Sequence, residues 1–250
     1  MKGLIAAFAG VALLAGYAFA GETECEVPEY LLASDGELSH VAAAVAKEHA
    51  LSIVVLGTGS SVLSSTDGAD VAYPGRLATL LKATLPKVEI KLVSRAQPRQ
   101  TAADMLKGLK DIVAQDKPDL VIWQTGTFDA IRGVEPEEFR DALDEGVEAL
   151  QKAGADVILM NMQYSPRTES VMALDVYNDH MHWVARERGV LLFDRLAIMK
   201  YWSDAGVFDL FTTTKGSVMA QRVHDCIGHA LSSLIVATAH LKPPDEKAPH

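Results

Sequence analysis

Basic residues are in short supply in this sequence: 23 lysines and arginines stand against 33 aspartates and glutamates, a formal net charge of −10 at neutral pH. A phosphate backbone or an anionic lipid surface would be repelled, so nucleic acid is not expected as a partner. Cysteine is scarcer still, with two residues in 250, which leaves room for one disulfide at most. The chain also lacks repeats and low-complexity tracts. Its one long apolar run, Leu4 to Tyr17, falls short of the roughly 20 residues needed to span hydrocarbon.

That run has another use. Lys2 gives a positive start, and Ala18-Phe19-Ala20 offers small residues ahead of a cleavage point, the pattern of a removable signal peptide over residues 1–20. Cys25 follows Thr23-Glu24 rather than a small residue, which argues against a lipoprotein. The mature chain is therefore expected to be periplasmic or secreted, with no stable membrane anchor. In an oxidising compartment Cys25 and Cys226 form a disulfide, or else stay as two unrelated thiols with one of them buried. A bridge requires their Cα atoms to lie within about 7 Å.

Roughly 230 residues remain, enough for one well-buried core. Five short apolar runs rich in β-branched residues read as buried strands: Leu51–Leu56, Val88–Val93, Asp119–Gln124, Ala155–Asn161 and Val190–Phe193. Between them lie helix signals: Pro74 for a first turn, Thr101 to Asp104 as a capping box, and Pro136-Glu137-Glu138 ahead of an apolar stripe. Further helices are expected over Glu37–Ala50, Arg195–Ser203 and Met219–His240, with Phe208–Gly216 as a loop. Strands alternating with helices predict an α/β fold, a three-layer α/β/α sandwich on a five-stranded parallel sheet. One domain spans 21–240, and Pro243-Pro244 opens a disordered tail over 241–250. Ligands of such sheets sit beyond the carboxyl ends of the strands.

The loops at those ends read LGTGSS after the first strand, SRAQPRQTAADML after the second, PDLVIWQTGTFDAIR around the third, and FDLFTTTKGSVMAQRVHDC before the last helix. In this order they resemble blocks I, II, III and V of the SGNH/GDSL hydrolases, in particular an exported bacterial branch, over nearly the whole mature chain. The resemblance implies the flavodoxin-like SGNH fold. It also implies a serine nucleophile in the first block, a histidine base and an aspartate in the last, and an oxyanion site built from a glycine amide and an asparagine.

Residue by residue, however, this sequence departs from that pattern. The position of the attacking serine, two residues after Gly57, holds Gly59. The oxyanion glycine of the second block corresponds to Arg99, at the end of Ser94-Arg-Ala-Gln-Pro-Arg99. The asparagine of the third corresponds to Phe128, in Gly126-Thr127-Phe128. Aligned on the glycine and cysteine of the last block, Lys215 takes the aspartate position and Val218 the histidine position. Asp129 reads as a loop or helix-capping carboxylate. Asp179, His180 and His182 crowd one helix but face different sides, and neither a metal nor a cofactor is expected.

Two functions compete. One is a catalytically inactive binding or scaffolding protein for an unknown small molecule or protein partner, with Thr58, Ser60, Arg99, Phe128 and Lys215 as ligand contacts. In that picture Phe128 and Val218 form an apolar wall facing a cationic wall of Arg99 and Lys215, suited to an amphiphilic anion. The other is a hydrolase of acyl or acetyl esters with a relocated site, drawing on Ser60, Ser61, His224 and Asp225, with Asp129 as another carboxylate.

Overall fold

The computed structural model describes residues 25–33, 36–63, 68–170, 173–211 and 218–241. The expected signal peptide, Lys215 and the tail from residue 242 lie outside these segments. The five apolar runs form strands β1 (Ala50–Gly57), β2 (Glu89–Ala96), β3 (Leu120–Gln124), β4 (Asp156–Met160) and β5 (Leu191–Phe193). All pair in parallel, in the order β2-β1-β3-β4-β5. The expected five-stranded parallel α/β sheet is thus present, with strand boundaries displaced by one residue at most, except that β2 runs three residues further than expected, to Ala96.

Alternation along the strands separates two cores. Ile53 and Val55 of β1, Leu120 and Ile122 of β3, and Ile158 and Met160 of β4 face one helical layer. Their neighbours Val54 and Leu56, Val121 and Trp123, and Val157 and Leu159 face the other. Helices therefore cover both faces. On the first lie α2 (Ser39–Glu48), α4 (Tyr73–Thr84), α10 (Arg195–Asp204) and α11 (Val218–Thr238); on the second lie α5 (Ala102–Asp116), α7 (Pro136–Lys152) and α9 (Leu174–Arg188).

Local chemistry sets the helix ends. The Thr101 side chain accepts the Asp104 amide at 3.2 Å while Asp104 accepts the Thr101 amide at 3.3 Å, the reciprocal box expected before α5. Prolines open α4 and α7. Helix α2 stops at Glu48, short of the expected Ala50, because His49 turns left-handed (φ 52°) and Ala50 already pairs in β1. Short elements escaped the periodicity argument because they span a turn or two: α1 (Glu29–Leu32), a 3₁₀ turn at Gly59–Ser61, α3 (Gly68–Val71), α6 (Thr127–Arg132) and α8 (Pro166–Glu169). On α7, a Cβ at Gly146 would come within 2.3 Å of the Trp123 ring, so glycine lets that helix close over the central strand.

The segment before α2 is stapled to the last helix. Cys25 and Cys226 are bonded, with Cα atoms 4.8 Å apart and a sequence separation of 201. The Trp202 indole donates to the Glu26 carbonyl at 2.9 Å, and Val27, Leu31 and Leu32 pack on the first core. At the other end, Leu241 donates its amide to Val236 and packs on the same core. Replacing both cysteines by alanine is expected to destabilise the fold by about 2–5 kcal/mol. Denaturant unfolding of the variant reads this out, and an unchanged midpoint would refute a stabilising role.

Candidate functional site

The carboxyl ends of β1 and β3 meet at one carboxamide. Gln124 closes β3 and is fully buried. Its Oε1 accepts the Thr58 amide at 3.1 Å and faces the hydroxyls of Thr58 at 3.1 Å, Ser60 at 3.1 Å and Ser61 at 2.8 Å. A backbone N–H can only donate, which fixes the oxygen toward the loop and leaves Nε2 turned away. That buried Nε2 has no hydrogen-bond partner among the described residues.

From this loop a polar chain runs into α4 and α11. The Ser61 hydroxyl lies 3.0 Å from the Tyr73 phenol, at the start of α4. The Tyr73 amide donates to His224 Nδ1 at 3.0 Å, and the two rings are tilted with centroids 5.8 Å apart. With its Nδ1 lone pair engaged, neutral His224 carries its proton on Nε2. Burial, reinforced by the positive charge of Arg195, pushes its pKa down to about 3. Burial also raises the pKa of the Tyr73 phenol.

Arg195, the first residue of α10 after β5, is 1% exposed. Its NH1 reaches the Ser60 carbonyl at 3.3 Å and hydroxyl at 3.4 Å, and NH2 reaches Gln163 Oε1 at 3.4 Å. The guanidinium carbon sits 5.8 Å from the Tyr73 ring centroid. Burial lowers its pKa to about 10, so it remains a cation at neutral pH. Arg195, Gln163 and His224 line a cavity of about 240 Å³ together with Met219 and Val223.

Other positions singled out in the sequence stand apart from this cavity. Arg99 is exposed in the turn after β2, with φ 65°, and Phe128 lies on α6 beneath the Arg132 guanidinium at 5.9 Å. Val218, the first residue of α11, is 70% exposed. Neither Arg99, Phe128 nor Val218 lines the cavity, whose cation is Arg195 instead; Lys215 falls outside the described residues. Gly59 opens the 3₁₀ turn with room beside it, since an added Cβ would meet only Pro98, at 4.0 Å.

The carboxylates are engaged elsewhere. Asp225 pairs with Arg76 at 3.3 Å. Asp129 is a buried cap: it accepts amides from Ala102 at 2.9 Å and Gly126 at 3.3 Å, joining the starts of α5 and α6. On α9, His182 Nε2 lies 3.2 Å from Asp194 at the end of β5, a bond that raises the histidine pKa. Asp194 in turn accepts from Asn161 beyond β4 at 2.6 Å. No group of three histidine, cysteine or acidic side chains is arranged to hold a metal among the described residues.

Sequence reasoning missed Gln124, Tyr73 and Arg195 as members of one cluster. The signal for Arg195 was present, as a lone cation after a strand within the apolar stretch LLFDRLAIM.

Comparison with known proteins follows the same outline. The model of the non-GDSL lipase-like family matches residues 24–241, while no curated protein matches. Among solved structures, that of TesA superposes with a TM-score of 0.57 at 18% identity, covering 73% of this chain and 99% of the other. A two-domain esterase active on acetylated mannans gives 0.67 at 16% identity, over 86% of this chain and 58% of its own. An acetylxylan esterase from Geobacillus stearothermophilus gives 0.57 at 20% identity, over 75% and 93%. At these identities the likeness is one of fold.

His224 makes stability depend on pH. Its folded pKa is depressed below the unfolded value near 6.5, so its contribution is complete above about pH 6.5 and is lost as pH falls toward 3. His182, with a raised pKa, acts in the opposite sense: its contribution is full in acid and lost as pH rises through its folded value. Comparing the protein with His224→Gln isolates the first effect. The parent is expected to lose on the order of a few kcal/mol more than the variant between pH 7 and 4. Parallel denaturation curves across that range would contradict the assignment.

Proposed function

Because the chain belongs to the non-GDSL lipase-like family, within the SGNH/GDSL hydrolase superfamily, we propose that it is an exported binding protein that retains the esterase-like fold without turning over esters. The observation carrying this reading is the state of His224. Acyl transfer by a serine needs an imidazole with one lone pair facing the hydroxyl and its other nitrogen donating to a carboxylate. In His224 a backbone amide fills the Nδ1 lone pair, the proton stays on Nε2, and a pKa of about 3 leaves almost no capacity to accept another proton at neutral pH. The adjacent carboxylate, Asp225, is turned to Arg76.

Other residues support the same reading. Ser60 and Ser61 direct their hydroxyls to Gln124, and no hydrogen bond joins either to His224 among the described residues. Gly59 offers no nucleophile, Val218 no base, and the Phe128 ring no donor for an oxyanion. Export is supported by the Cys25–Cys226 bridge, which suits an oxidising compartment.

One observation favours an ester hydrolase with a relocated serine. Ser60 Oγ lies 3.4 Å from the Arg195 guanidinium, a cation able to stabilise a developing alkoxide or oxyanion. Without a base, that cation alone leaves proton removal unassisted, so the binding reading is preferred.

The mature protein is expected to hydrolyse p-nitrophenyl acetate and butyrate no faster than a no-enzyme control and to resist labelling by a serine-reactive phosphonate. Turnover lost on Ser60→Ala or His224→Ala, with folding intact, would overturn this reading.

A further inference from the structure

Arg195 is the one buried lysine or arginine among the described residues. Arg95, Arg140 and Arg188 lie nearer to solvent, and each holds a carboxylate. Arg195 has none among the described residues; its contacts are two oxygens of Ser60 and one of Gln163, all at 3.3–3.4 Å, the long end for a charged donor. Its Nε is buried without an acceptor, as is Nε2 of Gln124, whose Oε1 is bound by the same Ser60 hydroxyl. Of these two, only Arg195 lines the cavity, and its stranded Nε and uncompensated charge leave that wall with more donors than acceptors. Such a deficit is met by an acceptor-rich anion.

The cavity beside Arg195 narrows the choice. At about 240 Å³ it lies below the roughly 300–1,000 Å³ of drug-sized pockets. One wall is apolar, formed by Leu210, Met219 and Val223. Asp209, also on the lining, is exposed, and its Oδ1 accepts the Phe211 amide. A single buried cation with a carboxylate on the solvent side favours one negative charge over two. We infer that this cavity binds a small organic carboxylate, its oxygens on the Arg195 guanidinium and its short apolar body against Leu210, Met219 and Val223. The inference deepens the reading of a non-hydrolytic binding protein and rests on it.

The test titrates the mature, bridged protein with butanoate, hexanoate and benzoate, following melting temperature and calorimetric heat. Butanamide serves as the uncharged control, and inorganic phosphate and sulfate as the competing anions. Carboxylates are expected to raise the melting temperature saturably and butanamide to leave it unchanged, with phosphate and sulfate at least tenfold weaker than hexanoate. Arg195→Gln is expected to abolish the carboxylate effect. Because that variant also alters a buried charge, Met219→Trp provides a second arm: it fills the cavity from the apolar side with Arg195 intact and is expected to reduce carboxylate affinity at least tenfold.

No carboxylate effect on the parent, carboxylate binding undiminished from the parent's in either variant, or a preference for phosphate or sulfate would each overturn the site. The ester assay separates the two ideas. Carboxylate binding together with hydrolysis of the matching aryl ester keeps the anion site and defeats the non-hydrolytic reading. Absence of both defeats the anion site and leaves that reading in place.

Discussion

A single carboxamide oxygen organises the carboxyl end of this sheet. Gln124 is held by the central strand, so its Oε1 is a fixed point to which the Gly57–Val62 loop must conform. Once Ser61 is placed there, its hydroxyl meets the phenol of Tyr73 and helps set the start of α4. The Tyr73 amide then fixes the ring of His224 across the interface with α11. On the other side of the loop, the Ser60 carbonyl and hydroxyl receive Arg195 from α10. Elements far apart in sequence thus depend on one acceptor in a buried site, where an unpaired polar group costs most.

The cluster tolerates only one positive charge. Arg195 remains protonated despite burial, and its field helps keep His224 neutral. Two cations sharing a buried wall would repel each other with little solvent to screen them. Neutrality of the imidazole therefore follows from the placement of the arginine as well as from desolvation. In a hydrolytic triad a carboxylate shifts that balance the other way, by stabilising an imidazolium; the carboxylate next to His224 in sequence is on the far side of the helix turn, with Arg76.

Much of the architecture was legible because its determinants are local. Runs of β-branched residues announced the strands, and the caps at Thr101, Pro74 and Pro136 announced where helices start. Asp129, read as a loop or helix-capping carboxylate, does cap a helix start, although the reach of its carboxylate to Ala102 was not legible. The site was read less well. Matching sequence blocks drew attention to Arg99, Phe128, Val218 and Lys215, whereas the buried cluster combines Gln124 from a strand, Tyr73 and Arg195 from helix starts, and His224 from inside α11. Their convergence is set by the packing of α4, α10 and α11 on one face of the sheet, which no local pattern encodes.

The bridge between Cys25 and Cys226 has a temporal side. A chain synthesised from its amino end exposes the Cys25 thiol long before helix α11 exists, and for the next two hundred residues that thiol has no native mate. Closure cannot precede synthesis of Cys226, which lies in the last helix. During that interval Cys25 is open to any other thiol it meets, so the correct bond records that the carboxyl-terminal helix has arrived.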